Sequence, residues 1–349
     1  MQELFLPDGD NVRLEAWVEN LEIPWSLIFL SDGRALVSER PGRIRLIING
    51  KLQETPYAYI DVEHIGEGGL MGLAVHPEFP TKPYIYAMHT YKKDRKYYNR
   101  VVRLKDNGNR GIIEKVIIDK IPGGKFHNGG RIAFGPDGML YITTGEAFNA
   151  ELAQDIRSLG GKILRLTPDG DIPSDNPFKG SPVYSYGHRN PQGIAWHPET
   201  KDLFSSEHGP SGEFLRFAND EINVIKKGGN YGWPEVIGKK EKIPFIAPLL
   251  VWEKTTPPSG ITFYKGDLFV ATLRSEALIR IKLKIINGRY EVTRVERWFA
   301  DKYDRGRLGR LRDVVVGPDG NLYILTNNRD GRGDPRPGDD RIYRVIPKN

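Results

Sequence analysis

IAFGPDGMLYIT at residues 132–143 and VVVGPDGNLYIL at residues 314–325 are one hairpin written twice. Apolar residues alternate, Pro-Asp-Gly interrupts them, and the alternation resumes. Alternation of period two marks a strand. In the interruption Pro presets φ, Asp bonds its own backbone, and Gly takes the φ that other residues resist. Each stretch therefore predicts two antiparallel strands joined by a tight turn. Looser copies read LIFLSDGRALV (27–37), LAVHPEFPTKPYIYAM (73–88), IAWHPETKDLFS (194–205) and ITFYKGDLFVA (261–271). A further alternating run follows most copies, at 43–48, 100–104, 162–166, 222–225, 277–283 and 341–346.

The six copies start at 27, 73, 132, 194, 261 and 314. Spacings of roughly 46 to 67 residues suit blades of four short strands with variable loops. The segment VRLEAWV (12–18) also alternates and is expected to be the outer strand of the last blade, closing the ring. The predicted fold is all-β: a six-bladed β-propeller of four-stranded antiparallel blades, forming one domain over residues 1–349. A two-sheet sandwich is the alternative, but it has no need of six copies of one hairpin.

Composition sets the outer bounds. The 349 residues carry 51 Lys+Arg against 45 Asp+Glu, a net charge of +6 with the signs interspersed, which gives no case for nucleic acid. The most apolar run, 243–252, is broken by Pro244 and Pro248 and falls short of the roughly 20 residues of a membrane helix. The absence of cysteine excludes disulfides, thiolate metal sites and a cysteine nucleophile. The start MQELFLPDGDN lacks the basic and apolar regions of a signal peptide, which leaves a cytoplasmic chain or a mature form.

Blade topology sorts the remaining residues. The turns lie on one face, so residues just before first strands and just after second strands are expected on the opposite face, near the axis. Those positions hold Glu67, His127, Asn128, Arg189, Asn190, Arg310 and Arg312 before first strands. After second strands come Glu146, Glu207, His208, Gly209, Pro210, Arg274 and Asn327. Four arginines together (Arg189, Arg274, Arg310, Arg312) imply a multiply charged anion held by bidentate bonds, or ion pairing with Glu67, Glu146, Glu207 or Asp313. His127, flanked by glycines in GGKFHNGG, is placed to act as a base near neutral pH. His76 and His197 occupy turn positions and read as structural. Exposed carbonyls around Gly209 and Pro210 would suit calcium. No GxSxG elbow, P-loop or helix-opening GxGxxG is present.

At these positions the chain resembles the soluble quinoprotein glucose and aldose sugar dehydrogenases, which use pyrroloquinoline quinone (PQQ). The matching stretches are GEGGLMGLAVHPEF (66–79), HNGGRIAFGPDGMLYITTGE (127–146), YGHRNPQGIAWHP (186–198), SEHGP (206–210), DEINVIKKGGNYGWP (220–234), PPSGITFYKGDLFVATLR (257–274) and GRLRDVVVGPDGNLYILT (309–326). They run in order through nearly the whole chain.

The resemblance implies a PQQ-dependent, calcium-requiring aldose dehydrogenase that oxidises the C1 hydroxyl to the lactone by hydride transfer. His127 would be the catalytic base, with Arg189 and Asn190 near the reactive carbonyl. Arg274, Arg310 and Arg312 would grip the cofactor, and Glu67 stands where the family places a Gln beside it. Main-chain oxygens of Gly209 and Pro210 would hold the cofactor calcium, and those of Glu221 and Tyr231 a structural one. Phe126 replaces an acidic residue of the glucose enzyme, which bears on the orientation of His127 and on sugar preference; a chain shorter than that enzyme implies trimmed mouth loops, a more open pocket and broad aldose use. The segment 213–218 looks like an insertion. Expected partners are an aldose and a quinone-type or artificial electron acceptor, with the protein a monomer or homodimer. The family's habit of export would place the chain in the periplasm or outside the cell. A non-catalytic or lactonase-like calcium-binding propeller is the competing reading.

Overall fold

The turn chemistry read from the sequence is what builds the hairpins. In 132–143 the N–H of Gly135 bonds the carbonyl of Met139 at 2.9 Å, and Gly138 sits at φ 73°. Asp137 accepts the Met139 N–H at 3.1 Å, the Tyr141 hydroxyl at 3.0 Å and Arg165 Nε at 3.0 Å. The second copy repeats the pattern: Asp319 takes the Asn321 N–H at 3.2 Å, the Tyr323 hydroxyl at 3.2 Å, and Arg344. In two looser copies a histidine stands just before the proline, where the tight copies have Gly135 and Gly317, and bonds the turn through its ring. His76 Nδ1 accepts the N–H of Glu78 at 3.0 Å, and His197 Nδ1 accepts that of Glu199 at 3.3 Å.

The computed structural model describes residues 3–210 and 218–348. Among the described residues its sheets are six antiparallel blades, as the repeats predict, and one small two-stranded sheet of Ala300–Lys302 with Arg305–Gly306. Blade one comprises Pro24–Phe29, Arg34–Glu39 and Arg43–Ile48, with the short pieces Lys51–Leu52 and Ala58–Tyr59 outermost. Blade two is Leu70–Val75, Tyr84–Lys93, Lys96–Asp106 and Gly111–Pro122. Blade three is Ile132–Phe134, Leu140–Thr144, Lys162–Leu166 and Val183–Tyr186. Blade four is Pro191–Trp196, Leu203–Glu207, Asp220–Ile225 and Leu250–Trp252. Blade five is Pro258–Tyr264, Asp267–Thr272, Leu278–Ile286 and Arg289–Trp298. Blade six is Leu311–Val316, Leu322–Thr326 and Ile342–Pro347, completed on its outer side by Val12–Val18, as expected. Leu4–Leu6 adds a parallel strand to blade five, which the sequence did not suggest. Among the described residues the sole helical element is a 3-10 turn at Ala150–Ala153, and no helix is long and apolar enough to cross a membrane.

The chain divides into two compact units. One, Trp25–Gln192 with Ile225–Ala247, carries blades one to three. The other, Met1–Pro24 with Gly193–Val224 and Pro248–Asn349, carries nearly all of blades four to six. Inside each unit the middle blade is buried on both faces, so adjacent residues of its strands serve different cores. In blade two, Leu70, Ile85 and Val102 pack towards blade one, while Met71, Tyr86 and Val101 pack towards blade three. In blade five, Leu268, Val270 and Ile279 face blade four, and Phe269, Ala271 and Leu278 face blade six. Inner strands approach so closely that they need glycine. A Cβ at Gly72 would lie 2.4 Å from the carbonyl oxygen of Gly130, and one at Gly260 would lie 2.0 Å from Asp313 Oδ1.

Candidate functional site

In the unit of blades one to three, the predicted residues gather around the hairpin of blade three. His127 stands before its first strand and Glu146 after its second. The register that pairs Ile132 with Ile142 carries position 127 opposite position 147. The Ala147 N–H accordingly donates to the His127 carbonyl at 3.1 Å. This brings His127 Nδ1 to 2.9 and 3.0 Å from the two carboxylate oxygens of Glu146. Both residues are buried, 7% and 2% exposed. A carboxylate only accepts, so Nδ1 carries the proton it donates and Nε2 is left as an acceptor. Close packing enforces the geometry: a Cβ at Gly145 would sit 2.0 Å from the His127 carbonyl oxygen.

The His127 backbone lies at φ 55°, in the left-handed region. Glu67 Oε2 accepts its N–H at 3.2 Å. Asn128 pins the loop from within, with Oδ1 accepting the Gly124 N–H at 3.0 Å and Asn99 Nδ2 at 3.1 Å. Asn190 Oδ1 accepts the Gly129 N–H at 2.9 Å, while its buried Nδ2 finds no acceptor among the described residues. Glu146 is tied back to the Arg189 carbonyl through its N–H at 3.0 Å, and the buried Arg189 guanidinium lies 5.4 Å from the ring of Trp233. Glu67, His127, Arg189 and Asn190 thus belong to one network. His188 stacks on Tyr231 at 4.7 Å and bonds Ser185 Oγ at 2.8 Å.

In the other unit, Arg310 and Arg312 flank the start of the inner strand of blade six, both buried. Arg310 Nη2 pairs with Asp330 Oδ2 at 2.8 Å, so its carboxylate partner is none of the four acids weighed from the sequence. Asn327 Nδ2 donates to the same oxygen at 2.6 Å. Arg312 Nη1 donates to Ser259 Oγ at 3.3 Å. Arg274 differs from the others: its side chain is 65% exposed and stands 3.8 Å from Asp304.

Gly209 and Pro210 are buried beside blade four, where the Gly209 N–H bonds Asp220 Oδ1 at 3.0 Å. The Thr256 N–H bonds Asp220 Oδ2 at 2.6 Å. Burial, and then the Glu207 carboxylate, push the Glu221 carboxyl well above the usual range, with Asn223 Nδ2 opposing from 2.9 Å. Tyr231 lies in the unit of blades one to three, where its N–H bonds the Tyr186 carbonyl at 2.9 Å. Positions 213–217 of the expected insertion lie outside the described residues. Among the described residues no group of three or more His, Cys, Asp or Glu side chains is placed to hold a metal ion.

Glu146 and Asp330 are the partners that sequence reasoning did not assign. For Glu146 the signal existed, because counting the hairpin register outwards from the Pro-Asp-Gly turn sets it beside His127. Asp330 lies beyond the last strand residue of its hairpin, Thr326, where register no longer predicts contact.

The profile of the Glucose / Sorbosone dehydrogenase family matches residues 21–343. The chain is 33% identical to the aldose sugar dehydrogenase YliI of Escherichia coli, over 97% of this chain and 94% of that one. A Thermus thermophilus structure described as a glucose dehydrogenase superposes with a TM-score of 0.90 at 53% identity, covering 96% of this chain and all of that one. The PQQ-bound aldose sugar dehydrogenase of Streptomyces coelicolor gives a TM-score of 0.85 at 40% identity, over 97% and 99% of the two chains.

Proposed function

Because the chain belongs to the glucose/sorbosone dehydrogenase family, we propose that it oxidises aldoses at C1 to lactones with PQQ and calcium, using His127 as the base. It is an oxidoreductase of the sugar-dehydrogenase class. The single observation that carries the mechanism is the His127–Glu146 pair, which puts the ring proton on Nδ1 and the lone pair on Nε2.

The residues present fit a polycarboxylate quinone. A buried amide donor costs about 1–3 kcal/mol when unbonded, and Asn190 Nδ2 is such a donor. An oxygen-rich ligand would satisfy it. Arg189, Asn190, Arg310 and Arg312 are guanidinium and amide donors suited to carboxylate and carbonyl oxygens. Glu67 is a cofactor-side residue that also anchors the His127 backbone. Arg274 is exposed and would act as an outer cation. The main-chain oxygens of Gly209 and Pro210 are the proposed ligands of the cofactor calcium, and those of Glu221 and Tyr231 the proposed ligands of a second, structural calcium. Burial, Glu207 and Asp220 all oppose ionisation of the Glu221 carboxyl, and a hard cation bound nearby would relieve that repulsion.

When bound, the quinone supplies a two-electron acceptor for the C1 hydride, and calcium polarises it. His127 Nε2 takes the C1 hydroxyl proton as the hydride departs. Glu146 stabilises the resulting imidazolium through Nδ1 and keeps the ring from rotating. Arg189 offers positive charge to oxygen that becomes negative in the transition state. The sugar would leave as the lactone, having lost its C1 hydride and its C1 hydroxyl proton, and an external acceptor would take up the two electrons.

Apo protein titrated with PQQ and calcium should develop the bound-quinone absorbance and bleach on adding an aldose. His127→Ala should bind the quinone and fail to bleach. Bleaching in that variant at the wild-type rate removes His127 from the mechanism.

A further inference from the structure

We infer that Phe126 and Phe148 form an aromatic platform beside His127 that stacks on the C–H face of the aldose ring and reads ring shape rather than hydroxyl configuration. The inference rests on the dehydrogenase reading of the same site.

Phe148 exposes 61% of its surface, although a free phenyl ring is stabilised by burial. The local backbone holds it out. Ala147 and Phe148 both lie in the left-handed region, at φ 54° and 65°. Non-glycine residues stay there only when their surroundings fix them. The fixing group is Glu146, whose Oε2 accepts the Phe148 N–H at 2.5 Å. One carboxylate therefore sets both the base and the ring next to it. The Phe148 centroid lies 4.9 Å from that of His127, tilted 37°, and 5.9 Å from that of half-buried Phe126.

Three rings in contact make a surface with an apolar end and a proton-accepting end. An aldose whose C1 hydroxyl reaches His127 would extend its ring over the phenyl end. Pyranose and furanose rings carry C–H faces that stack on aromatic surfaces, and neither phenylalanine has an atom that hydrogen-bonds a hydroxyl. Among epimers that keep the same C–H face, the platform orients the ring plane without discriminating between them.

The test compares wild type, Phe148→Ala and Phe148→Tyr after reconstitution with PQQ and calcium. Aldose and acceptor concentrations are varied separately. Phe148→Ala should raise KM about three- to tenfold for each of several epimeric aldoses alike, with kcat and acceptor KM retained. Phe148→Tyr should restore wild-type KM. A second readout needs no cofactor: saturation transferred by NMR from protein aromatic protons should reach sugar C–H protons in wild type and fade in Phe148→Ala. An active wild type with unaltered aldose KM in Phe148→Ala overturns the platform alone. So does a change confined to the acceptor, or to one epimer. A reconstituted wild type that oxidises no aldose overturns the dehydrogenase reading and the platform with it.

Discussion

Replacing Glu146 by Gln isolates what the carboxylate gives to His127. Glu146 now meets Nδ1 with both oxygens, at 2.9 and 3.0 Å, and spends Oε2 on the Phe148 N–H as well. Gln has one oxygen. Placed where Oε2 stands, it can still accept both N–H groups, but the amide NH2 then points at Nδ1 from the Oε1 position and the negative charge is gone. A hydrogen bond to a charged group contributes about 1.5–3 kcal/mol. If that contribution appears only as the imidazolium forms, it converts to about a 10- to 150-fold fall in kcat. KM should stay within about twofold, because Gln retains the Phe148 tether. Stopped-flow bleaching of the bound quinone by aldose measures the step directly, and C1-deuterated sugar reports whether hydride transfer limits it. Quinone absorbance before sugar addition confirms an intact site. A Glu146→Gln enzyme with wild-type kcat and isotope effect would refute the dyad and leave Glu146 as a loop tether.

Two further outcomes follow from other contacts. Burial, reinforced by Arg100, lowers the His89 pKa to about 4, and the Arg100 Nε–H at 3.0 Å requires Nε2 unprotonated. The unfolded chain binds this proton below about 6.5 and the folded chain only below about 4, so the stability contribution is complete above 6.5 and declines as pH falls towards 4. The span is worth about 3 kcal/mol; denaturant unfolding at stepped pH should show it, and His89→Leu should flatten it. An equal slope in the variant assigns the acid sensitivity elsewhere. Arg312→Leu should weaken quinone binding about 10- to 100-fold by absorbance titration at fixed calcium, and an unchanged midpoint would strike Arg312 from the cofactor set.

The fold was legible because its determinants are local. Pro-Asp-Gly turns carry their own hydrogen bonds, so Asp137 and Asp319 announce hairpins with no knowledge of the neighbours. Blade order followed from counting them. The parallel strand Leu4–Leu6 was not legible, because three residues are too few for a period to show. The site was half legible. Topology marked the positions of His127, Arg189 and Arg310, but not whether each cation meets solvent or an acid. Arg274 and Arg310 look alike in sequence, yet one is exposed and the other is paired with Asp330. That difference depends on a loop beyond the strand ends, where no repeat constrains the path. Phe148 was silent for a related reason. Its exposure comes from two successive left-handed residues that no glycine advertises.

The outer strand of blade six comes from the start of the chain, and its partner comes from the end. The Asn11 side chain bonds the Lys348 carbonyl across 337 positions of sequence. On the ribosome, Val12–Val18 emerges with no mate and must remain available until Ile342–Pro347 is made. Folding in order of synthesis can complete blades one to five, while the sixth waits on Ile342–Pro347. A nascent chain stalled before Ile342 would carry two unmated strand edges, Val12–Val18 and Leu322–Thr326, that both await the same missing strand, and both would invite mispairing with neighbouring copies.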